Sequence, residues 1–277
     1  MKSALVSNGA VLNRPGWKHY VRRLQGSTVR LDLSGYAPPV AAIAALESAC
    51  RDLSDGEILQ RGRALHARAR SGEPPAALRA SLFALAREAS FRALGQRPFD
   101  EQIVAALALD DGHVVEMATG EGKTLAAVMP AALNAFSDRG VHILTFNDYL
   151  ARRDAGWMGP VYQMLGLSVG YIQQGMAPGA RRAGYRADVT YVTAKEAGFD
   201  HLRDLLAMDA RELVHRPFNA AIVDEADSLM IDEARVPFVI AGRIEGETSL
   251  APRLAELVAS LSPGVHFDTD EYGGTSS

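Results

Sequence analysis

From His113 onward, short apolar runs alternate with longer stretches in which apolar residues recur every three or four positions. His113 to Met117, Val141 to Phe146, Ser168 to Ile172, Asp188 to Thr193 and Ala220 to Val223 have the length and composition of strands. Leu125 to Phe136, Arg152 to Leu165 and Phe199 to Ala207 have helical spacing. Such alternation predicts an α/β fold with a mostly parallel sheet, helices on both faces and ligands at the carboxyl ends of the strands.

Ahead of this region the pattern is helical throughout. Val40 to Leu53 predicts one helix, Ser54-x-x-Glu57 is a capping box that starts a second through Arg70, and a third runs from Pro75 to near Gly95. These helices are expected to form a platform, residues 40–96, beside the α/β region at 97–242. Residues 1–39 are broken by Gly9, Pro15, Gly16, Gly26, Gly35, Pro38 and Pro39. Within them Trp17, Tyr20, Val21 and Leu24 make an apolar stripe flanked by Lys18, Arg22 and Arg23, a pattern that suits either an anionic membrane surface or packing against the chain's own domain. The shortness of the stripe favours packing. Past Gly242 the order weakens, with a helix expected over Leu250 to Leu261 and a frayed end at Gly273 to Ser277.

With 277 residues, 48% of them hydrophobic, the chain can bury a sizeable core in one or two domains and is neither disordered nor fibrous. Its one cysteine, Cys50, excludes an intrachain disulfide and a Cys-rich zinc site and fits a reducing compartment. Met1 to Arg14 holds no apolar core suited to a signal peptide, and no later stretch approaches the ~18 uncharged apolar residues of a membrane span. A cytoplasmic protein is the expectation. The net charge of −4 conceals an asymmetry: residues 1–99 carry 15 Lys and Arg against 7 Asp and Glu, and residues 100–277 carry 14 against 26. The basic head can meet an anionic surface, whereas the acidic remainder lacks the broad positive field of a nucleic-acid tracker.

Two motifs carry chemistry. Ala118-Thr119-Gly120-Glu121-Gly122-Lys123-Thr124 has the form of a phosphate loop: its glycines let backbone N–H groups close around phosphate oxygens, Lys123 can reach the β and γ phosphates, and the Thr124 hydroxyl can hold Mg²⁺. The strict pattern asks for glycine where Met117 stands, so the expected strand before the loop and helix after it strengthen the assignment. A hundred residues later the apolar run Ala220 to Val223 delivers Asp224-Glu225-Ala226-Asp227. Asp224 is expected to bind Mg²⁺, usually through water, and Glu225 to polarise an attacking water. A solvated acidic helix start would use the same residue types. Together the motifs predict an ATP-hydrolysing motor with ATP and Mg²⁺ as cofactors. His113 and His142 are expected to be packed or surface residues, and Met117, Met129 and Met158 to fill the core.

Four further stretches are less generic: Arg97-Pro98-Phe99-Asp100-Glu101-Gln102, Thr145 to Asp154 followed by Trp157 to Pro160, Gly198 to Asp204, and Asp224 to Arg235. In order and spacing they resemble the first nucleotide-binding domain of SecA, the preprotein translocase ATPase family of bacteria, over roughly Leu53 to Gly242. The resemblance implies a RecA-like P-loop NTPase fold in which Gln102 pairs with the adenine edge, Phe99 walls the adenine pocket, and Gly120, Glu121, Gly122, Lys123 and Thr124 take the phosphates. It implies Arg153 as an interdomain or transition-state contact beside the catalytic Lys123, Asp224 and Glu225. Its implied partners are the Sec channel, unfolded preproteins and acidic phospholipids, at the cytoplasmic side of the inner membrane, with a homodimer left open and nucleic acid not expected.

Departures accompany the match. The family usually has valine at Ala226 and paired asparagines at Ala194-Lys195, and its N-terminus differs from the first forty residues here. In SecA-like proteins the motor continues into a preprotein cross-linking domain, of which residues 243–277 leave room only for the start, and a second nucleotide-binding domain with an arginine finger. Slow turnover by this chain alone is therefore expected, since an arginine finger can contribute ~10³ to 10⁵ in rate. Two other readings stay open: a DEAD-box-like RNA or DNA helicase motor, and a noncatalytic nucleotide-binding or docking module.

Overall fold

The computed structural model describes residues 32–239, 250–262, 266, 268–269 and 275–276. The stripe from Trp17 to Leu24 lies outside the described residues. The chain divides into two compact units, Met1–Val236 and Pro237–Ser277.

In the first unit, three helices lead: α1 (Ala37–Arg51), α2 (Asp55–Arg70) and α3 (Pro75–Leu94). Each boundary has a local cause. Ser54 Oγ accepts from the Glu57 N–H while the Glu57 carboxylate accepts from the Ser54 N–H at 2.7 Å, which starts α2. Pro75 opens α3, and Gly95, at φ 67°, closes it in the left-handed conformation. A short helix, α4 (Asp100–Asp110), follows, and then α5 (Lys123–Ala135).

The sheet begins with β1 (Val141–Thr145), after which the chain alternates α6 (Asp148–Met164), β2 (Val169–Tyr171), α7 (Pro178–Tyr185), β3 (Val189–Thr193), α8 (Ala194–Leu206) and β4 (Ala220–Val223). All pairings are parallel, in the order β2-β3-β1-β4, with Val141 opposite both Val189 and Ala220. β3 is buried along its whole length and β1 nearly so, as central parallel strands are, while edge strand β4 alternates between half-buried and exposed residues.

One hydrophobic core runs through the unit, from Ile43 of α1 and Leu82 and Phe83 of α3, through Ile103, Leu107 and Met129, to Ile143 and Tyr191 of the sheet. The leading helices thus share their core with the α/β layer. Gly62 lets α2 approach closely, since a Cβ there would collide with the Leu165 carbonyl. The buried Arg87 of α3 adds polar ties: it donates to the Pro98 carbonyl at 2.7 Å and to the carboxylates of Glu47 and Asp100 at 2.5 and 2.7 Å.

The strand expected over His113 to Met117 is not formed. The segment keeps the period of a strand, with Val115 and Met117 turned to a cleft and Val114 94% exposed, but it pairs with none of the four strands of the sheet. Apolar alternation sets which face is buried; ladder formation needs a neighbour with free backbone groups. Met117 therefore lines the cleft rather than filling the core, unlike the fully buried Met129 and Met158. His113 is exposed and His142 is packed.

The second unit contains α9 (Leu250–Ala259) and a short antiparallel ladder in which Asp268 faces Ser276 and Thr269 faces Thr275. Among the described residues, no helix is long and apolar enough to cross a membrane.

Candidate active site

The glycine loop turns back on itself through a bond from the Glu121 N–H to the Ala118 carbonyl at 3.2 Å, then enters α5 at Gly122. Gly120 and Gly122 have φ of 85° and 81°, where a side chain is strained. No side chain caps α5 and no acid lies in its first turn, so its leading N–H groups and the positive end of its dipole are open to an anion. Lys123 follows, exposed, with no ion pair among the described residues, and Thr124 is half-buried.

Gln102 of α4 supports this loop from behind. Its Nε2 donates to the Glu121 carbonyl at 2.8 Å and its Oε1 accepts from the Phe99 N–H at 3.0 Å. Both ends of the amide are thus engaged within the protein, joining the 97–102 segment to the phosphate loop. Phe99 is 68% exposed at the start of α4, available as a flat apolar surface.

A cleft of about 70 Å³ opens beside the loop. Lys123 and Thr124 come from α5, Thr145 from the end of β1, Asp154 from α6, Tyr191 from β3 and Asp224 from the end of β4, with Val115, Met117, Ile143 and Ile222 as apolar lining. Convergence at strand ends is the expected geometry of an open parallel sheet. The Asp224 N–H donates to the Leu144 carbonyl at 2.9 Å, extending the β1–β4 ladder and fixing the carboxylate's place. Thr124 and Asp224 bring hydroxyl and carboxylate oxygens to one cleft, a donor set that suits a hard divalent cation such as Mg²⁺.

Of the residues singled out in the sequence, Lys123, Thr124 and Asp224 meet in the cleft; Phe99, Gln102, Gly120, Glu121, Gly122, Arg153 and Glu225 do not line it. Glu225 is exposed and takes φ 51°, a left-handed conformation that costs a non-glycine residue ~1–2 kcal/mol. Its N–H donates to Asp224 Oδ1 at 3.0 Å. The acids lie in a bend just past β4, ahead of a π-helical turn at Ser228–Asp232.

Three polar lining residues had no assigned role: Thr145, Tyr191 and Asp154. Asp154 is only 2% exposed; burial, aided by the charge of Asp224, pushes its carboxyl above the ordinary value, and the bond from Arg153 works against that shift. Beneath it the buried phenols of Tyr191 and Tyr162 lie 3.5 Å apart, both pushed up by burial. A carboxylate two turns into the helix after β1, next to an arginine, is the signal that could have pointed to Asp154 within the Thr145 to Asp154 stretch, and the sequence reading did not use it.

A model of the SecA DEAD-like domain matches residues 21–270. The chain is 48% identical over 236 residues to "Protein translocase subunit SECA1, chloroplastic" of Arabidopsis thaliana, an alignment covering 85% of this chain and 23% of that protein. It is 47% identical over 251 residues to protein translocase subunit SecA of Thermosynechococcus vestitus, covering 91% and 27%, and 45% identical over 258 residues to that of Solidesulfovibrio magneticus, covering 93% and 31%. The chain thus spans about a quarter of the length of these curated relatives. A P-loop-like glycine turn beside paired strand-end acids, on a parallel sheet and within a match of this extent, places the chain in the SecA DEAD-like domain family.

Proposed function

We propose that this chain is the ATP-hydrolysing motor domain of a SecA-type protein translocase, working on unfolded preproteins at the Sec channel. The reading is carried by the meeting of Lys123, Thr124 and Asp224 in one cleft beside an uncapped helix N-terminus. In it, the loop N–H groups from Gly120 to Thr124 and the Lys123 ammonium hold the β and γ phosphates. Thr124 and Asp224 hold Mg²⁺, which when bound neutralises phosphate charge and polarises the phosphoryl group. Glu225, one residue past Asp224, orients the attacking water and draws on its proton. Phe99 walls the adenine, Gln102 offers the adenine edge the second Nε2 hydrogen beside the one bonded to Glu121, and Arg153 meets the phosphates or a neighbouring domain.

Partners and place follow from the same reading. The relatives are named as translocase subunits, which supports the Sec channel and preproteins as partners. The excess of basic residues within 1–99 suits acidic phospholipids, and hence peripheral association with the inner membrane from the cytoplasm. The helicase reading draws on the literal Asp224-Glu225-Ala226-Asp227, but the acidic balance of residues 100–277 disfavours a nucleic-acid track.

The test is Mg²⁺-dependent binding of ATP and ADP by the purified chain beside Lys123→Ala, with turnover recorded in the same samples. Lys123-dependent binding with slow turnover is expected. Equal binding by both proteins, or none, overturns the assignment of the cleft.

A further inference from the structure

Arg153 and Asp154 are neighbours on α6, and neighbours on a helix point about 100° apart, so their side chains do not ordinarily meet. Here they do. Arg153 Nε donates to Asp154 Oδ1 at 2.8 Å, and Nη2 lies 2.7 Å from the same oxygen. The side chain of Asp154 is 3% exposed and that of Arg153 43%, so the long arginine stem curls back toward a carboxylate that cannot come out to meet it.

The reason is electrostatic. Asp154 shares the cleft with Asp224, and among the described residues no other cation pairs with it. A buried carboxylate beside a second carboxylate, without a cation, is strongly unfavourable. Arg153 supplies the cation and in doing so loses its freedom. A guanidinium has five N–H donors in one rigid plane. With Nε and Nη2 directed at Oδ1 of a carboxylate that lines the cleft, that plane is held in one orientation, and among the described residues the remaining donors have no partner.

We propose that Asp154 is a positioning residue for the nucleotide: it holds the guanidinium of Arg153 in one orientation, from which Arg153 meets a phosphate group held at the glycine loop. The inference rests on the reading of the cleft as a nucleotide site. Its sign is distinctive. Toward phosphate alone the Asp154 charge is repulsive, so Asp154 favours binding only through a cation, Arg153 or Mg²⁺, and removing Arg153 separates the two.

The experiment measures Mg²⁺-dependent binding of a fluorescent ATP analogue to the full chain and to Asp154→Asn, Arg153→Gln, the double variant, Arg153→Lys and Lys123→Ala, with thermal unfolding of each. Asp154→Asn is expected to weaken binding about tenfold, the usual scale for a charge-assisted hydrogen bond. The double variant is expected to bind no more weakly than Arg153→Gln, because without the guanidinium there is nothing to position. Arg153→Lys keeps the charge but not the fork, and is expected to lose as much as Arg153→Gln. Binding by Asp154→Asn that equals or exceeds wild type overturns the proposal, as does an equal loss in both Arg153 backgrounds. Should Asp154→Asn not fold, Arg153→Lys still decides, since wild-type affinity there overturns it. Wild-type binding indifferent to Lys123→Ala removes the nucleotide reading and this inference together.

Discussion

Gln102 Nε2 donates to the backbone carbonyl of Glu121 at 2.8 Å, a bond that joins the start of α4 to the phosphate loop across nineteen residues of chain. The same amide accepts from the Phe99 N–H, so the loop's position depends on an element that need not touch phosphate. Gln102→Ala is expected to weaken binding of inorganic pyrophosphate as well as ATP, each by several-fold, from the loss of about 1 kcal/mol per bond. Isothermal titration with both ligands checks this; a loss confined to ATP would mean that Gln102 acts on adenine alone.

Gly120 and Gly122 share a left-handed backbone but not the same surroundings. A Cβ at Gly120 meets open space, whereas one at Gly122 collides with Gln102 Nε2. Either alanine substitution costs ~1–2 kcal/mol in backbone strain. Gly122→Ala is expected to lose more nucleotide affinity than Gly120→Ala, and the excess should disappear in a Gln102→Ala background.

Arg87 is 3% exposed and joins Glu47, Pro98 and Asp100. Arg87→Met removes the buried member of three arginines on Glu47, which keeps Arg97 and Arg51, and leaves the Pro98 carbonyl without that donor; it is expected to cost ~1–3 kcal/mol in urea unfolding.

His142, 7% exposed, has its imidazole pushed down to about 4 by burial and by the neighbouring His215 and Arg216. Its folded pKa lies below the unfolded value of about 6.5, so between those limits the unfolded chain binds more protons. This contribution is complete above pH 6.5 and is lost as pH falls toward 4. Between pH 7 and pH 5 it amounts to about 2 kcal/mol. His142→Phe is expected to flatten that part of the stability profile, as measured by urea midpoints at the two pH values.

Much of this protein was legible because the deciding physics was local. The box at Ser54 and Glu57, the proline at 75 and the glycine at 95 act within one helical turn, and α2 and α3 begin and end where those residues require. Four of the five expected strands formed, since each is an apolar run bounded by turn or helix signals. His113 to Met117 failed the same reading because its alternation predicts an extended backbone, while a strand also requires a ladder partner from elsewhere in the chain.

The sequence by itself determined the parallel α/β plan, the glycine loop ahead of α5 and the acids after β4, because periodicity, helix caps and the dihedral freedom of glycine are properties of neighbouring residues. The tertiary structure alone decided that Asp154 lies buried next to Asp224, that Arg153 curls toward it, and that Gln102 spends both ends of its amide inside the protein. Those outcomes depend on which side chains burial leaves without water, and on the hydrogen-bond partners that distant segments then supply.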